Sequence, residues 1–120
     1  MTQRLLGQLR RFSLSLPDGV ETDSWGHPNF RAGKKTFAVY EIYQGRPCIA
    51  VKLPAPEGER LLADPRFYRT PYTGKHGWVS LLVDHPVAWS LVKSLVLTSY
   101  REVATKRQVA LLAGSRRRVR

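Results

Sequence analysis

The stretch that decides the fold reads Trp25-Gly26-His27-Pro28-Asn29-Phe30-Arg31-Ala32-Gly33-Lys34-Lys35-Thr36-Phe37. It predicts a turn at Gly26-His27-Pro28, a short strand through Phe30 and Arg31, and a hairpin turn at Ala32-Gly33-Lys34, whose glycine can supply the positive φ of a tight turn. We expect the stretch to hold its aromatic side chains against a core and to present cations near a hairpin tip. Such a surface suits an anionic partner. Alternatively, the cations only keep the hairpin soluble.

Periodicity predicts the elements on either side of this stretch. Apolar residues at helical spacing predict a first helix from Gln3 to about Ser15. The predicted strands are Val20–Trp25, Lys35–Tyr43, Pro47–Leu53, Phe67–Arg69 and Trp78–Val83. A short helix is expected over Glu57–Ala63, and a long last helix should begin at Asp84-His85-Pro86, with Asp84 as N-cap, and end near Ala113-Gly114.

Alternation along the strands and a stripe along the last helix predict which residues face the core. Phe37 and Val39 should share one face of their strand. Ile49, Val51 and Leu53 should face opposite to Cys48, Ala50 and Lys52, and Val79, Leu81 and Val83 should share a face. The helical stripe consists of Trp89, Val92, Val96, Tyr100 and Val103.

The order of these elements predicts an α+β fold: one mainly antiparallel sheet packed against helices, with an N-terminal helix and a long C-terminal helix. With 120 residues the chain is most simply a single domain, here residues 1–114, followed by a flexible basic tail at 115–120. The tryptophans Trp25, Trp78 and Trp89 are expected to be core or half-buried packing residues.

Composition favours a cytoplasmic protein with an anionic partner. One cysteine, Cys48, excludes an internal disulfide and indicates a reducing compartment, and no apolar run is long enough to span a membrane. The net charge is +11, of which residues 103–120 supply +6 through six cations and no acids. The body, with fourteen cations and nine acids, is therefore only moderately basic.

Patterns typical of enzymes and metal sites are lacking in the sequence. There is no Gly-x-Ser-x-Gly elbow and no phosphate-binding loop, and Cys48 beside Ile49 is typical of a buried small hydrophobe. His27, His76 and His85 form no ligand pair at helical spacing. We therefore expect no catalytic residue, no metal site and no cofactor.

A series of short motifs follows the same order as in a known family. In chain order they are Leu16-Pro17, Gly19-Val20-Glu21, Trp25-Gly26-His27-Pro28, Phe30-Arg31, Gly33, Lys35, Phe37-Ala38, Asp64-Pro65-Arg66-Phe67, Pro71-Tyr72, Gly74 and Gly77-Trp78-Val79. Over roughly residues 3–107 the chain resembles the MmcQ/YjbR family of small bacterial proteins. The resemblance implies an α+β fold related to secretion chaperones and loosely to frataxin, and DNA binding through a double wing of hairpins.

The candidate nucleic-acid contacts are cations on two hairpin rims and in the tail. They are Arg31, Lys34 and Lys35 on the first rim, Arg66, Arg69, Lys75 and His76 on the second, and Arg116, Arg117, Arg118 and Arg120 in the tail. The expected function is non-enzymatic DNA binding with low sequence specificity. The alternatives left open are a protein-interaction module with a chaperone-like fold, in which the charge is incidental, solvated loop cations with a solubilising tail, and binding of the basic tail to an anionic membrane surface.

Overall fold

The structure, a computed structural model, describes the backbone of residues 2–118 and the side chains of residues 3–114. In chain order the elements are α1 (Thr2–Ser15), β1 (Gly19–Ser24), β2 (His27–Ala32), β3 (Lys35–Tyr43), β4 (Arg46–Lys52), α2 (Ala55–Leu61), β5 (Phe67–Arg69), a 3-10 turn (Gly74–His76), β6 (Trp78–Leu82), α3 (Trp89–Val103) and α4 (Lys106–Arg118). None of the helices within these residues is both long and apolar enough to cross a membrane.

The six strands form one antiparallel sheet in the order β1-β2-β3-β4-β6-β5. One face carries the core, which includes Leu9 of α1, Val96 of α3 and Leu112 of α4. The opposite face, here called the open face, carries a row formed by Thr22, Asn29, Val39, Ala50, Ser80 and Tyr68. The predicted α+β fold, with helices against one antiparallel sheet, is confirmed.

Alternation placed most core residues correctly. Ile49, Val51 and Leu53 are buried in the core, and so are Val79 and Leu81 of β6. The helical stripe is also confirmed, since Val92, Val96 and Tyr100 are buried while Trp89 and Val103 pack against the core from its edge. The Tyr100 ring meets Phe37 edge to face with 5.3 Å between ring centroids.

The expectation that Phe37 and Val39 share a face is wrong. The β2–β3 register shifts between Phe30 and Arg31, so that Phe37 is an extra residue on β3. A bulge of this kind turns two successive side chains toward one face. Phe37 and Ala38 are accordingly both fully buried in the core, whereas Val39 lies on the open face.

The expected single last helix is in fact two helices. Ala104, with an extended ψ of 154°, ends α3, and Thr105 then caps α4. The Thr105 hydroxyl accepts the backbone N–H of Gln108 (3.1 Å), and the Gln108 side-chain oxygen accepts the backbone N–H of Thr105 (2.9 Å). This reciprocal pair is a capping box, and its Thr-x-x-Gln signature is visible in the sequence. The helix expected to end near Gly114 continues to Arg118.

Two other sequence-based boundaries are also wrong. Helix α3 begins at Trp89 with Ala88 as its N-cap, four residues after the expected cap Asp84, whose carboxylate instead accepts hydrogen bonds from Arg46. The first turn lies at Trp25-Gly26, because His27 and Pro28 already pair with β1. Gly33 has the expected positive φ, 66°.

Asp18 fastens α4 to the beginning of β1. Its carboxylate accepts hydrogen bonds from Gln108 (2.9 Å) and Arg107 (2.6 Å), and these interactions lower its pKa. The backbone of Asp18 has φ of 56°, a conformation that Asn also tolerates. Asn therefore removes the charge at this position without changing the backbone requirement.

We expect Asp18→Asn to lower stability at neutral pH and to cost less in acid. Because the pKa in the folded state is depressed, the stabilisation is present above the ordinary carboxyl pKa and is lost as the pH falls through the folded value. Urea-unfolding midpoints at about pH 7 and about pH 3 measure this difference. Asp23→Asn, on an exposed residue of the same strand, is the control. An equal cost of Asp18→Asn at both pH values would contradict the expectation.

Candidate nucleic-acid interface

The strand register brings most of the predicted contact cations to one end of the sheet. Ala32 pairs with Lys35 across the Gly33-Lys34 turn, Lys52 pairs with Trp78, and Arg69 pairs with Val79. The 3-10 turn that contains Lys75 and His76 leads directly into β6 at the same end. We call this the cationic end and define it by the residues Arg31, Lys34, Lys35, Lys52, Arg69 and Lys75.

The cationic end unites residues from both predicted rims and adds one that sequence reasoning missed. Lys34, Lys35 and Lys75 are exposed, and none of them makes a salt bridge within the described side chains. Lys52 was placed on the correct face by alternation, but the sequence did not reveal that β4 ends beside the two rims. Pairing of β4 with both β3 and β6 puts it there.

Two of the arginines predicted to contact nucleic acid are less available for phosphate binding than the lysines, because each is paired with a carboxylate. Arg69 lies at the cationic end, but its guanidinium contacts Glu59 at 2.8 Å. Arg66 lies at the opposite end of the sheet, where its backbone carbonyl accepts the N–H of Leu82 and its guanidinium binds Asp64 at 2.8 Å. The structure therefore does not place Arg66 with the other candidates.

The candidates in the tail are only partly covered by the structure. Arg116, Arg117 and Arg118 belong to α4, but their side chains lie outside the described residues. Arg120 lies wholly outside them. Their role as contacts stays a prediction.

At the other end of the sheet the arginines are paired with carboxylates. Asp84 stands beside the β3–β4 turn, where hydrogen bonds from Arg46 and then His85 lower its pKa to about 2. The Arg46 charge is thereby matched by a carboxylate that stays ionised at neutral pH. The sheet is therefore polarised along its strands, with its unmatched cations concentrated at the cationic end.

A cleft of about 650 Å³ crosses the open face. Thr36, Thr70, Tyr72 and Trp78 line it near the cationic end, and Trp25, His27, Glu41 and Tyr43 line it toward the other end. Its remaining lining residues are Ser24, Asn29, Val39, Ile42, Ala50, Pro71 and Thr73. The volume is in the range of ligand-binding clefts, and the wall combines aromatic rings with a few polar groups.

Two aromatic residues of this cleft are almost fully exposed to solvent, which contradicts the expectation for Trp25. Trp25 is 95% exposed and Tyr72 is 94% exposed, so that the packing role expected of Trp25 is wrong. Trp78 and Trp89 are half-buried, as expected. Both exposed residues also have positive φ, 55° at Trp25 and 67° at Tyr72, which is uncommon outside glycine. The composition of the 25–37 stretch gave no sign that its tryptophan would be exposed.

Cys48 is fully buried beneath the open face, as its sequence context predicted. Its sulfur accepts the Tyr68 hydroxyl at 3.3 Å, and burial raises the pKa of the thiol to about 11. A thiol with so high a pKa is protonated at neutral pH and is a poor nucleophile. Among the described residues, no group of three or more His, Cys, Asp or Glu side chains could hold a metal ion.

Comparisons with known proteins agree with this architecture. A crystal structure of a Deinococcus radiodurans protein with a DUF419 domain is 25% identical, with a TM-score of 0.74 over 90% of this chain and 87% of that chain. The structure of a Pseudomonas syringae protein, 18% identical, has a TM-score of 0.66 over 80% of this chain and 96% of that chain, and shows the same fold. No curated protein sequence matches.

The family is decided by sequence. The model of the YjbR family matches residues 14–102, which include the whole sheet and nearly all of α3. The matched segment contains all six residues of the cationic end together with both exposed aromatics, Trp25 and Tyr72. The chain belongs to the YjbR family.

Proposed function

We propose that this protein is a non-enzymatic DNA-binding protein of low sequence specificity. The observation that supports the proposal is the convergence of cations from three separate connections of the sheet at one end. Lys34 and Lys35 come from the β2–β3 turn, Lys52 from the end of β4, and Lys75 from the segment before β6.

The spacing of these cations suits a phosphate backbone. Strands lie about 4.8 Å apart, so that the three spacings from β3 to β5 extend about 14 Å. One strand of a duplex carries a phosphate charge about every 3.4 Å along the axis, which places about four charges over the same length. Four lysines can therefore contact a short run of phosphates together.

Low specificity follows from the kind of side chain involved. Lysines on turns neutralise phosphates, and contacts to phosphates carry no sequence information. Within the described residues, α1 and α3 pack their apolar side chains on the other face of the sheet. Affinity should therefore depend on salt far more than on sequence.

We expect steep salt dependence in both the full chain and a version ending at Gly114. Four phosphate contacts give a slope of about −3.6 in a plot of log affinity against log salt, which is about a 150-fold loss between about 50 and 200 mM. The shortened version should keep this slope because the cationic end is intact, and the full chain should be at least as steep. Fluorescence anisotropy of a labelled duplex measures both.

The two forms distinguish the alternatives. Loss of all binding in the shortened version would mean that the arginines after Gly114 act alone, as a sticky tail. No binding by either form at about 150 mM salt would contradict DNA binding. It would leave the protein-interaction module, in which the basic charge is incidental, as the remaining function.

A further inference from the structure

We infer that the cleft on the open face holds the unpaired bases of a single DNA strand, stacked on Trp25 and Tyr72, while one end of the backbone of that strand lies on the cationic end. The inference rests on the proposed function and specifies the form of the nucleic acid. It depends on three features of the cleft: its aromatic corners, its position beside the cations, and the distribution of charge along it.

The first feature is that Trp25 occupies a position where the fold does not need an aromatic residue. The Trp25-Gly26 and Gln44-Gly45 turns are two-residue hairpins in which both residues have positive φ, 55° and 81° in the first and 51° and 78° in the second. Asn is favoured at the first position of such turns. The β3–β4 hairpin satisfies the geometry with an ordinary polar residue, so the tryptophan serves something other than the turn.

Tyr72 has the same combination of exposure and backbone strain. It is 94% exposed at a φ of 67°, in the loop after β5. Strained backbone at a residue that contributes nothing to the core is typical of binding sites. Its position is diagonally across the sheet from Trp25, and both side chains line one cleft. Because the twist of a sheet raises two opposite corners on each face, the two rings border the cleft at its two ends.

The second feature is that one end of the cleft meets the cationic end. Thr36, which lines the cleft, pairs with Arg31, and Trp78, which also lines it, pairs with Lys52. The Nε of Arg31 is buried and lacks a hydrogen-bond partner among the described residues. A strand whose bases enter the cleft at this end therefore has lysines beside the phosphates of its first nucleotides.

The third feature is that the floor of the distal half of the cleft repels phosphate. Glu41 lines this half, and its carboxylate would oppose a phosphate while accepting a hydrogen bond from a base N–H group. Bases therefore suit the floor of this half, and the backbone of the strand lies on its solvent side. Stacking on a protein ring requires a base whose face is exposed, which a duplex does not offer along its length.

The test uses the full chain and two probes of equal length: a labelled oligothymidine of about twelve nucleotides and a duplex. We expect the single strand to bind at least about tenfold more tightly. In the variant Trp25→Asn/Tyr72→Asn, affinity for the single strand should fall by at least about fivefold for each ring removed, and affinity for the duplex should stay within about twofold. The control is Gln44→Asn, which introduces the same residue at the matching turn and should alter neither affinity.

Asn tolerates the positive φ at both positions, so the variant should have an unfolding temperature no lower than that of the original chain. Equal binding of the oligothymidine by the variant and the original chain would overturn the inference and leave the proposed function intact. Binding of the duplex as tightly as the single strand would also overturn the inference and leave the proposed function intact. Binding of neither probe would overturn both. If thymidine monophosphate displaces the oligothymidine at an equal concentration, the occupant of the cleft is a single nucleotide and not a DNA strand, which would also overturn the inference.

Discussion

Reversing three charges at the cationic end, in the variant Lys34→Glu/Lys35→Glu/Lys75→Glu, should lower affinity for duplex DNA by at least about 150-fold at about 0.15 M salt. Counterion release from each phosphate contact contributes about 0.7 log units at this salt concentration, so three lost contacts remove about 2.2 log units. Repulsion from the new carboxylates adds to the loss. The slope of log affinity against log salt should become shallower by about 2.7.

This variant should fold normally, because the three lysines contribute little to the structure. All are exposed, and none makes a salt bridge within the described side chains. Surface substitutions away from packed or paired groups change stability by about 0.5 kcal/mol or less. The unfolding midpoint should therefore stay close to that of the original chain.

The matched control reverses three exposed cations of the helical layer, in the variant Arg4→Glu/Arg11→Glu/Arg101→Glu. It changes the net charge by the same amount as the lysine variant. Its affinity should fall far less, because long-range attraction between exposed charges is screened beyond about 8 Å at this ionic strength. Equal losses in both variants would mean that net charge, and not the cationic end, determines binding.

Replacing Ser99 by Ala should destabilise the fold by about 2–4 kcal/mol. Ser99 is fully buried in α3, and its hydroxyl donates to the Phe37 carbonyl at 2.6 Å and accepts the Lys52 N–H at 2.8 Å. The β3–β4 ladder reaches only Ala38 and Val51 at this end. The hydroxyl therefore satisfies two backbone groups that the bulge at Phe37 leaves without strand partners.

Urea unfolding measures this loss, and Ser94→Ala on the exposed side of the same helix is the control. Ala favours a helix slightly more than Ser does, so the control should be neutral or slightly stabilising. A Ser99→Ala variant that unfolds at the same urea concentration as the original chain would show that water replaces the hydroxyl without cost. Because the backbone N–H of Lys52 itself makes this contact, the same variant should also disturb the cationic end.

The strands that the sequence predicted well are those in which one face is buried. Alternation in β4 and β6 placed Ile49, Val51, Val79 and Leu81 in the core because a half-buried strand has a fixed period of two. Alternation failed at Phe37 because a bulge adds one residue to β3 there. The types of Phe37 and its neighbours do not indicate where the bulge occurs. That position depends on how β2 and β3 pair, which is a tertiary property.

The break between α3 and α4 has a local signal in the sequence. The capping box formed by Thr105 and Gln108 can be recognised from spacing alone. The apolar stripe that continues through Val103 instead favours a single continuous helix. The position of Asp18, whose contacts fix the direction of α4, is separated from Arg107 by most of the chain and could not be deduced from spacing.

The candidate site was predictable as a set of residues but not as a surface. The sequence identified Lys34, Lys35 and Lys75 as rim cations, yet their convergence follows from the strand order, which inserts β6 between β4 and β5. Exposure of Trp25 could not be predicted from its type, because tryptophan is usually well buried. The cleft likewise results from the twist of the whole sheet.

The most direct test of DNA binding at the cationic end is a nitrogen–proton NMR titration of the full chain with a short DNA duplex. The backbone amides of Gly33 and Gly77 report on the cationic end, and that of Gly45 reports on the opposite end of the sheet. We expect the largest shift changes at Gly33, Lys34, Lys35 and Gly77, with Gly45 and the exposed side of α3 unchanged. Shift changes confined to residues after Gly114, or centred on Gly45, would contradict the account.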